Sequence, residues 1–282
     1  MYAITGVTGK VGGAVARNLL AAGKPVRAVL RDLTKAEAWR RQGCEIALAE
    51  MTDPKALAAA FRGAEAVLIL PPPIFDPAPG FPEVHAVIAA LTEALAAARP
   101  ARVLHLSTIG AQAAQPNLLS QQTLVEQALR RLDLPVTSLR PAWFMENFSW
   151  DVASARDRGV LPSFLQPLER AIPMAATADI ARTATDLLTA RGSSGSVVEL
   201  KSADVSPDDA AAIFSKVLGR TVAAQAVPRE TWGAFFQAQG MRDPLPRIQM
   251  LDGFNEGWLD FENPQAVLRG TMSLENVLRG LI

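Results

Sequence analysis

The sequence is poor in the side chains that most often carry out catalysis. Its 282 residues include one tyrosine (Tyr2), one cysteine (Cys44) and two histidines (His85 and His105). A single cysteine cannot form an intramolecular disulfide, and no cluster of cysteine and histidine has the spacing of a zinc site. We therefore expect no metal, and we interpret Cys44 as a small core residue.

The chain also lacks an excess of charge and long apolar runs. Lys and Arg together number 28, as do Asp and Glu, which gives no net charge. Proteins that bind nucleic acid usually carry a basic excess. The longest apolar stretches are interrupted by Pro71–Pro73 or by Glu93, well short of a membrane span, and the first residues do not resemble a secretory signal. These absences favour a cytoplasmic protein that binds neither nucleic acid nor membrane.

Short apolar segments alternate with helical patterns through the first two thirds of the chain. Two helix starts have local signals, a capping box at Thr34-Lys35-Ala36-Glu37 and a cap followed by proline at Asp53-Pro54. Such alternation is typical of an α/β fold, in which helices cover both faces of a parallel sheet. The predicted strands are 3–6, 26–30, 45–49, 66–70, 102–106 and 136–139, with further helices at 11–22, 82–99 and 120–132.

A glycine-rich segment, Thr5-Gly6-Val7-Thr8-Gly9-Lys10-Val11-Gly12, connects the first predicted strand to the first predicted helix. Gly6 permits a tight turn, Gly9 lets the backbone approach a pyrophosphate, and Gly12 lets the helix pack closely on the sheet. Backbone N–H groups at the helix start would hold the diphosphate. Because the motif lies between a strand and a helix, it predicts a dinucleotide-binding Rossmann domain rather than a glycine turn without a ligand.

Charged residues follow the second predicted strand, at the place where dinucleotide folds select their cofactor. Arg31 can pair with a 2′-phosphate, whereas an acid there would accept hydrogen bonds from a ribose 2′-OH. Lys35 adds a second positive charge. Asp32 lies close to the position of an NAD-type acid, and we expect it to turn toward the next helix start. This pattern favours NADP(H) and leaves NAD(H) open, with a surface arginine as the alternative for Arg31.

After Arg140-Pro141 the pattern becomes less regular. Aromatic residues, prolines and short helical segments fill 143–172, and short helices dominate from Val222 onward. Ser206-Pro207 is a helix start of the capped type. We predict a doubly wound parallel-sheet Rossmann domain and a smaller, mostly helical C-terminal lobe. The domain takes residues 1–147 with 176–200 returning to it, and the lobe takes 148–175 and 201–282.

The glycine motif and six further segments resemble the NmrA-like family of atypical short-chain dehydrogenases/reductases, NAD(P)-binding proteins with a Rossmann fold. The resemblance implies an NADPH-dependent reductase of quinones, azo or triarylmethane dyes, iminium compounds or phenylpropanoids. It equally implies members that bind NADP and act as redox-sensing regulators. The six segments are Val26–Asp32, Leu70–Pro73, Leu106–Ala111, Leu139–Asn147, Thr177–Ala181 and Gly253–Phe261.

Cofactor contacts carry over from the family to this chain by position. The glycine motif and Arg31 would hold the diphosphate and adenosine end, and Thr52-Asp53 would lie near the adenine. Leu70 to Pro73 would pass along the cofactor, and two segments after the fifth and sixth strands would flank the nicotinamide. The resulting candidates, with Lys35 added for its charge, are Gly6, Thr8, Gly9, Lys10, Val11, Arg31, Lys35, Thr52, Leu70, Pro71, Pro72, Ser107, Thr108, Pro141, Trp143 and Phe144.

The tyrosine–lysine pair of ordinary short-chain dehydrogenases is absent. Tyr2 lies in the first strand, and no lysine occurs between residues 56 and 200. Gln122, four residues before Glu126, stands where many relatives carry a lysine. Hydride transfer needs no side-chain acid because the cofactor carries that chemistry. Water or a weak donor, Ser107, Gln122 or Asn147, could complete protonation, and these three are the catalytic candidates.

Aromatic side chains suggest a pocket for a flat small molecule. The alternative for each is a place in the cores of the two lobes. His105 is expected to be a satisfied strand histidine, and His85 a surface residue. The pocket candidates are Phe75, Phe81, Trp143, Phe148 and Trp150.

The predicted function is hydride transfer from NADPH to a planar, electron-poor acceptor such as a quinone, dye or iminium compound, without metal or flavin. The main alternative is an NADP(H)-binding redox sensor without turnover that signals through a protein partner. A sugar epimerase or dehydratase is a third and weaker option, since those enzymes also use the absent tyrosine.

Overall fold

The computed structural model describes residues 1–190 and 195–282, which form thirteen strands and eleven α-helices. The strands are β1 (Tyr2–Ile4), β2 (Val26–Leu30), β3 (Glu45–Leu48), β4 (Ala66–Ile69), β5 (Arg102–Leu106), β6 (Val136–Pro141), β7 (Trp143–Phe144), β8 (Val160–Ser163), β9 (Ile172–Ala175), β10 (Val197–Lys201), β11 (Ala203–Val205), β12 (Ala223–Ala226) and β13 (Leu268–Arg269). The helices are α1 (Lys10–Ala21), α2 (Ala36–Arg41), α3 (Pro54–Phe61), α4 (Pro82–Ala98), α5 (Ser120–Leu129), α6 (Val152–Arg158), α7 (Thr177–Thr189), α8 (Pro207–Leu218), α9 (Trp232–Ala238), α10 (Leu245–Glu256) and α11 (Leu274–Arg279).

Eight strands form one sheet in the order β13-β10-β6-β5-β4-β1-β2-β3. The pairs from β3 to β6 are all parallel, with Ile4 opposite both Ala28 of β2 and Leu68 of β4. The chain moves outward from β1 first to β3 and then, from β4, in the other direction. This is the doubly wound Rossmann topology, so the predicted fold class is confirmed.

The central strands are apolar on both faces because helices cover both sides of the sheet. All four residues of β4 are buried. One face packs against α3 and α4 through Leu57, Phe61, Leu91 and Leu95, each fully buried. Burial of such side chains, at about 1.5–3 kcal/mol each, supplies the rigid frame on which the strand ends are placed.

The described chain divides into two compact units. The first contains Met1–Thr108, Gln121–Arg140 and Ile180–Val198, and the second contains Ile109–Ser120, Pro141–Asp179 and Glu199–Ile282. The second unit includes a three-stranded sheet, β11-β9-β7, and a two-stranded one, β12-β8. The domain and lobe boundaries given above stay a prediction. None of the described helices combines the length and the apolar character needed to cross a membrane.

One local prediction is wrong. The structure has a 3-10 turn at Leu33–Lys35 in place of a capping box at Thr34, and α2 begins at Ala36 without a side-chain cap. Asp32 supplies the cap, because its carboxylate accepts a hydrogen bond from the Thr34 N–H. The cap predicted at Asp53 is confirmed, since its side chain accepts from the N–H groups of Lys55 and Ala56.

Candidate functional site

The glycine loop begins where β1 ends, and a threonine fixes its starting position. The hydroxyl of Thr5 donates to the carbonyl of Leu68, 3.0 Å away, and accepts from the N–H of Leu70 at 2.8 Å. Thr5 therefore ties the end of β1 to the end of β4. Gly6 then turns the chain with φ +61°, a left-handed conformation that favours glycine.

The loop lies tightly against the first turn of α1. A Cβ on Gly12 would lie 2.4 Å from the Gly6 carbonyl oxygen, so only glycine fits there. The Gly9 N–H donates to the same oxygen at 2.9 Å. Gly6, Thr8, Gly9 and Lys10 are exposed residues, so the outer edge of the loop is open to a ligand.

The start of α1 has N–H groups without side-chain partners. Gly9 is the N-cap residue, no side chain caps it, and the first turn carries no acid. First-turn N–H groups have no intrahelical acceptor, and the helix dipole favours an anion beside them. This open cradle suits a diphosphate, with Gly6 to Val11 as the residues that would hold it.

The two charged residues after β2 have different environments. The carboxylate of Asp32 accepts from the Thr34 N–H at 2.9 Å and from its hydroxyl at 2.6 Å. These hydrogen bonds hold the pKa of Asp32 below its usual value. Asp32 thus turns toward the helix start, as predicted. Arg31 is exposed and forms no hydrogen bond or ion pair with any residue in 1–190 or 195–282.

Other predicted cofactor residues of the first unit lie at strand ends. Thr52 is exposed just before the Asp53 cap, and Pro72 is exposed after β4. Leu70, Pro71 and Thr108 are partly buried. The side chain of Leu70 packs against Gly6, where an added Cβ would approach it to 3.0 Å. Lys35 lies 4.0 Å from the Asp32 carboxylate.

A buried ionic network lies at the end of β5. The Ser107 hydroxyl donates to Glu126 of α5 at 2.5 Å. Arg140 of β6 binds both oxygens of the same carboxylate, at 2.8 and 2.7 Å, and Arg130 adds a bond of 2.9 Å. Glu126 and Arg140 are each 2% exposed. Removal of one partner from such a pair leaves an uncompensated buried charge and lowers the stability of a protein by about 3–5 kcal/mol.

This network determines what Ser107 can do. Burial alone would raise the pKa of Glu126, but the hydrogen bonds from Arg140 and Ser107 outweigh it and lower the pKa. Glu126 is therefore ionised and accepts the Ser107 proton in a hydrogen bond. Since that proton is engaged, the Ser107 oxygen is left as an acceptor.

A second pair lies beside the first. The His105 Nε2 atom is 3.0 Å from the Gln122 amide oxygen. Because that oxygen only accepts, the ring donates from Nε2. Burial lowers the pKa of His105 to about 4, so the ring is neutral. The expectation of a satisfied histidine is wrong in part, because the buried Nδ1 atom has no partner in the described chain. His85 is exposed, as expected.

The predicted aromatic residues of the second unit have core contacts as well as exposed surface. Trp143 meets Phe254 edge-on with ring centroids 5.1 Å apart, and Phe148 meets Phe214 at 6.0 Å. Trp150 is 64% exposed. Pro141 is buried, and Phe144 is partly buried in the short strand β7. Asn147 is partly buried in the 3-10 helix that follows it.

The predicted aromatic residues of the first unit occupy the long loop between β4 and α4. Phe75 is 49% exposed. Phe81 is partly buried against the core and precedes α4 with φ +56°, a strained conformation for a bulky residue. The structure thus brings Ser107 and Gln122 together beside Glu126 and His105. Asn147 and the other aromatic candidates belong to the second unit.

Two features of these regions lie outside the site residues predicted from the sequence. Arg140 is the charged residue of β6, a strand whose six residues are all buried, which signals a buried partner, and Glu126 is that partner. In the second unit, burial raises the pKa of Asp151 to about 7. No sequence motif marks Asp151, because its environment is set by packing.

The chain is similar over most of its length to two curated enzymes. It is 28% identical to the NAD(P)H azoreductase of Xenophilus azovorans over 251 residues, which are 87% of this chain and 83% of that enzyme. It is 27% identical to quinone oxidoreductase 2 of Escherichia coli K12 over 248 residues, 87% of this chain and 84% of that one.

A solved structure has the same fold along the whole chain. The triphenylmethane reductase of Citrobacter sp., complexed with NADP(H), superposes with a TM-score of 0.82. The comparison covers 100% of this chain and 99% of that one at 22% identity. The profile of the NmrA-like family matches residues 2–242, and the chain therefore belongs to the NmrA-like family.

Proposed function

We propose that this protein is an NADPH-dependent reductase that transfers hydride to a planar, electron-poor small molecule, such as a quinone or a dye. The observation that carries the proposal is the open, positively charged start of α1. Its N–H groups have no capping side chain, and Lys10 begins the helix. Arg31 forms no hydrogen bond or ion pair with a described residue, and the Asp32 carboxylate is turned toward Thr34. This arrangement suits a diphosphate and a 2′-phosphate, and so favours NADPH over NADH.

The cofactor, when bound, supplies the hydride, and the chain supplies position and electrostatics. Ser107 serves as a hydrogen-bond acceptor because its proton is engaged with Glu126. Gln122 serves as a donor, since its amide oxygen already accepts from His105. Asn147 of the second unit is a further polar candidate. Protonation of the reduced acceptor is left to water.

A tyrosine–lysine mechanism has no support in this chain. Tyr2 is 3% exposed, and burial together with the Glu65 charge raises the pKa of its hydroxyl. A buried phenol with a raised pKa is a poor proton donor for a carbonyl. Acceptors whose reduced form is stable without such a donor are therefore favoured. The names of the two curated relatives, an azoreductase and a quinone oxidoreductase, agree with this class.

A turnover screen tests the proposal. Purified protein is incubated with NADPH or NADH and with quinones, azo dyes, cationic triarylmethane dyes and iminium compounds, and cofactor oxidation is followed by absorbance. We expect turnover with at least one class, faster with NADPH. Tight NADPH binding without turnover of any acceptor would support the redox-sensor alternative, and partner binding would then depend on the redox state of the cofactor.

A further inference from the structure

We propose that His105 is a positioning residue that holds the side-chain amide of Gln122 as a hydrogen-bond donor for the oxygen of a quinone-type acceptor. This role rests on the proposed function and adds to it a preference among acceptors. Both residues belong to the first unit.

The geometry follows from two simple spacings. His105 lies in β5, and Ser107 directly follows this strand, two residues further along the chain. The two side chains therefore face the same side of the sheet. Gln122 and Glu126 are four residues apart on α5, so they share one helix face. The two pairs, His105 with Gln122 at 3.0 Å and Ser107 with Glu126 at 2.5 Å, therefore lie side by side.

The two pairs leave different groups available. The Ser107 hydroxyl donates its only proton in the hydrogen bond to Glu126. Gln122 uses its oxygen as an acceptor for the imidazole, and its NH₂ group has no partner among residues 1–190 and 195–282. Gln122 is partly buried, whereas Ser107 is 6% exposed. Of these two catalytic candidates, only Gln122 has a free donor.

The burial of His105 indicates that its ring has a task other than packing. The side chain is fully buried, and its neighbours Val103 and Leu104 on β5 are apolar. An apolar residue would fill this space without leaving the Nδ1 atom unpaired. What the imidazole adds is the Nε2 hydrogen bond, which fixes the orientation of the Gln122 amide. A donor fixed before reaction is more effective than a mobile one.

The chemistry of the acceptors decides which of them this donor helps. Hydride addition to a quinone places negative charge on a ring oxygen, and water then supplies the proton that gives the hydroquinone. The Gln122 amide can stabilise that oxygen without transferring a proton. Hydride addition to the central carbon of a cationic triarylmethane dye gives a neutral product with no charged oxygen. The amide therefore favours quinones over cationic dyes.

The first experiment measures kcat with a quinone and with a cationic triarylmethane dye at saturating NADPH. In Gln122→Leu and His105→Phe, we expect the quinone-to-dye ratio of kcat to fall about tenfold or more. His105→Gln, whose amide nitrogen replaces Nε2, should restore most of the ratio. His105→Asn, whose amide lies nearer the Nδ1 position, should not. NADPH affinity and thermal unfolding are measured in every variant.

The second experiment needs no turnover. The protein has only two histidines, and His85 is exposed, so the imidazole ¹⁵N signals can be assigned with one variant. We expect His105 to be the neutral Nε2–H tautomer from pH 7 to about 5. Burial, aided by the Arg140 charge, lowers its pKa to about 4 and outweighs the opposing effects of Glu126 and Gln122. Gln122→Leu should shift its Nε2 signal, and the matched Gln127→Leu, at an exposed position of α5, should not.

These outcomes separate the inference from the proposed function. Equal losses with quinone and dye in His105→Phe, or an Nδ1–H tautomer, would overturn the positioning role while leaving the reductase intact. A wild-type protein that reduces dyes but not quinones would do the same. A wild-type protein that binds NADPH and reduces no quinone, azo dye, triarylmethane dye or iminium compound would overturn both.

Discussion

The starts of helices α1 and α8 have the same backbone geometry and opposite chemistry. Each begins a 12-residue helix after an extended residue, Gly9 at φ −88° and Ser206 at φ −89°. At α8, Ser206 and Asp209 form a complete capping box, and Asp208 adds a second acid to the first turn. At α1 no side chain caps the helix, and the first residue is Lys10.

This difference separates a structural helix start from one that can bind a ligand. A capping side chain and a bound anion compete for the same N–H groups. The start of α8 is closed by its own residues and stabilises the second unit. The start of α1 gives up about 1 kcal/mol of capping energy and presents its N–H groups to an anion instead. Substitutions that exchange these properties test the comparison.

The largest effect is expected for Gly12→Ala. The new Cβ would lie 2.4 and 2.8 Å from the backbone oxygen and carbon of Gly6, so α1 must move away from the loop. We expect NADPH affinity to fall more than about 100-fold and the free energy of unfolding to fall by about 1–3 kcal/mol. Fluorescence titration with NADPH and urea denaturation measure the two effects.

Gly233→Ala is the matched control for Gly12→Ala. An added Cβ on Gly233 in α9 meets no atom within 4 Å. This variant should keep its NADPH affinity and gain up to about 1 kcal/mol of stability, since alanine favours a helix. Unchanged NADPH affinity in Gly12→Ala would show that the close contact of loop and helix is not needed for binding.

The second effect is expected for Gly9→Asp, which gives α1 the kind of cap that α8 has. The backbone of Gly9 at φ −88° and ψ 173° suits any residue, and an added Cβ would lie 3.3 Å from the Gly6 oxygen. An aspartate would accept from the first-turn N–H groups and stabilise the protein by up to about 1 kcal/mol. It would also repel a diphosphate, so we expect NADPH affinity to fall about 100-fold, or about 3 kcal/mol.

In Gly9→Asp the stability should rise while the NADPH affinity falls. These opposite signs distinguish the effect of a cap from general damage to the loop. Gly9→Ala adds a Cβ without the carboxylate and should lose much less affinity. If Gly9→Asp binds NADPH as tightly as the wild type, the N–H groups of α1 are not the diphosphate site.

Local signals in the sequence were sufficient to predict both helix starts. Gly6, Gly9 and Gly12 mark one, and Ser206-Pro207 marks the other, because turn and cap chemistry depends on neighbours in the chain. The parallel sheet covered by helices followed from the alternation of apolar segments and helical patterns. The cap predicted at Thr34 lies two residues earlier in the structure, at Asp32, because aspartate is also a favoured N-cap residue.

Contacts between distant residues could not be predicted in the same way. Trp143 meets Phe254, and Glu126 meets Arg140, only because of how helices and strands pack. The spacing of His105 and Ser107 and that of Gln122 and Glu126 are visible in the sequence. Their pairing needs the rotation of α5 over the sheet, which periodicity does not give for a helix with polar residues on several sides.

A third effect is expected for the positively charged residues that follow β2, Arg31 and Lys35. Arg31 forms no hydrogen bond or ion pair with a described residue, so Arg31→Ala should break none within the described chain. A charge-assisted contact with the 2′-phosphate contributes about 1.5–3 kcal/mol, so NADPH affinity should fall about 10- to 100-fold. NADH lacks that phosphate and should lose little. Lys35→Ala should show a weaker form of the same preference, and equal losses for both cofactors would refute the assignment of Arg31.

The smallest effect is expected for Ser206→Ala, which opens the start of α8. Loss of the cap should lower the free energy of unfolding by about 1 kcal/mol near pH 7. NADPH affinity should be unchanged, since the side chains of Ser206 and Asp209 form their hydrogen bonds within this helix start.

The difference in unfolding free energy between wild type and Ser206→Ala should depend on pH, and this dependence identifies which group supplies the cap. Hydrogen bonds from the backbone and side chain of Ser206 lower the pKa of Asp209 from its ordinary value of 3.8. A carboxyl with a lowered pKa in the folded state stabilises the protein above pH 3.8, and this contribution is lost as the pH falls below that value. The difference between wild type and Ser206→Ala in urea denaturation should therefore shrink between pH 7 and pH 3. A difference that stays constant would assign the cap to the serine hydroxyl alone, and α8 would then be closed by a neutral group rather than by its acids.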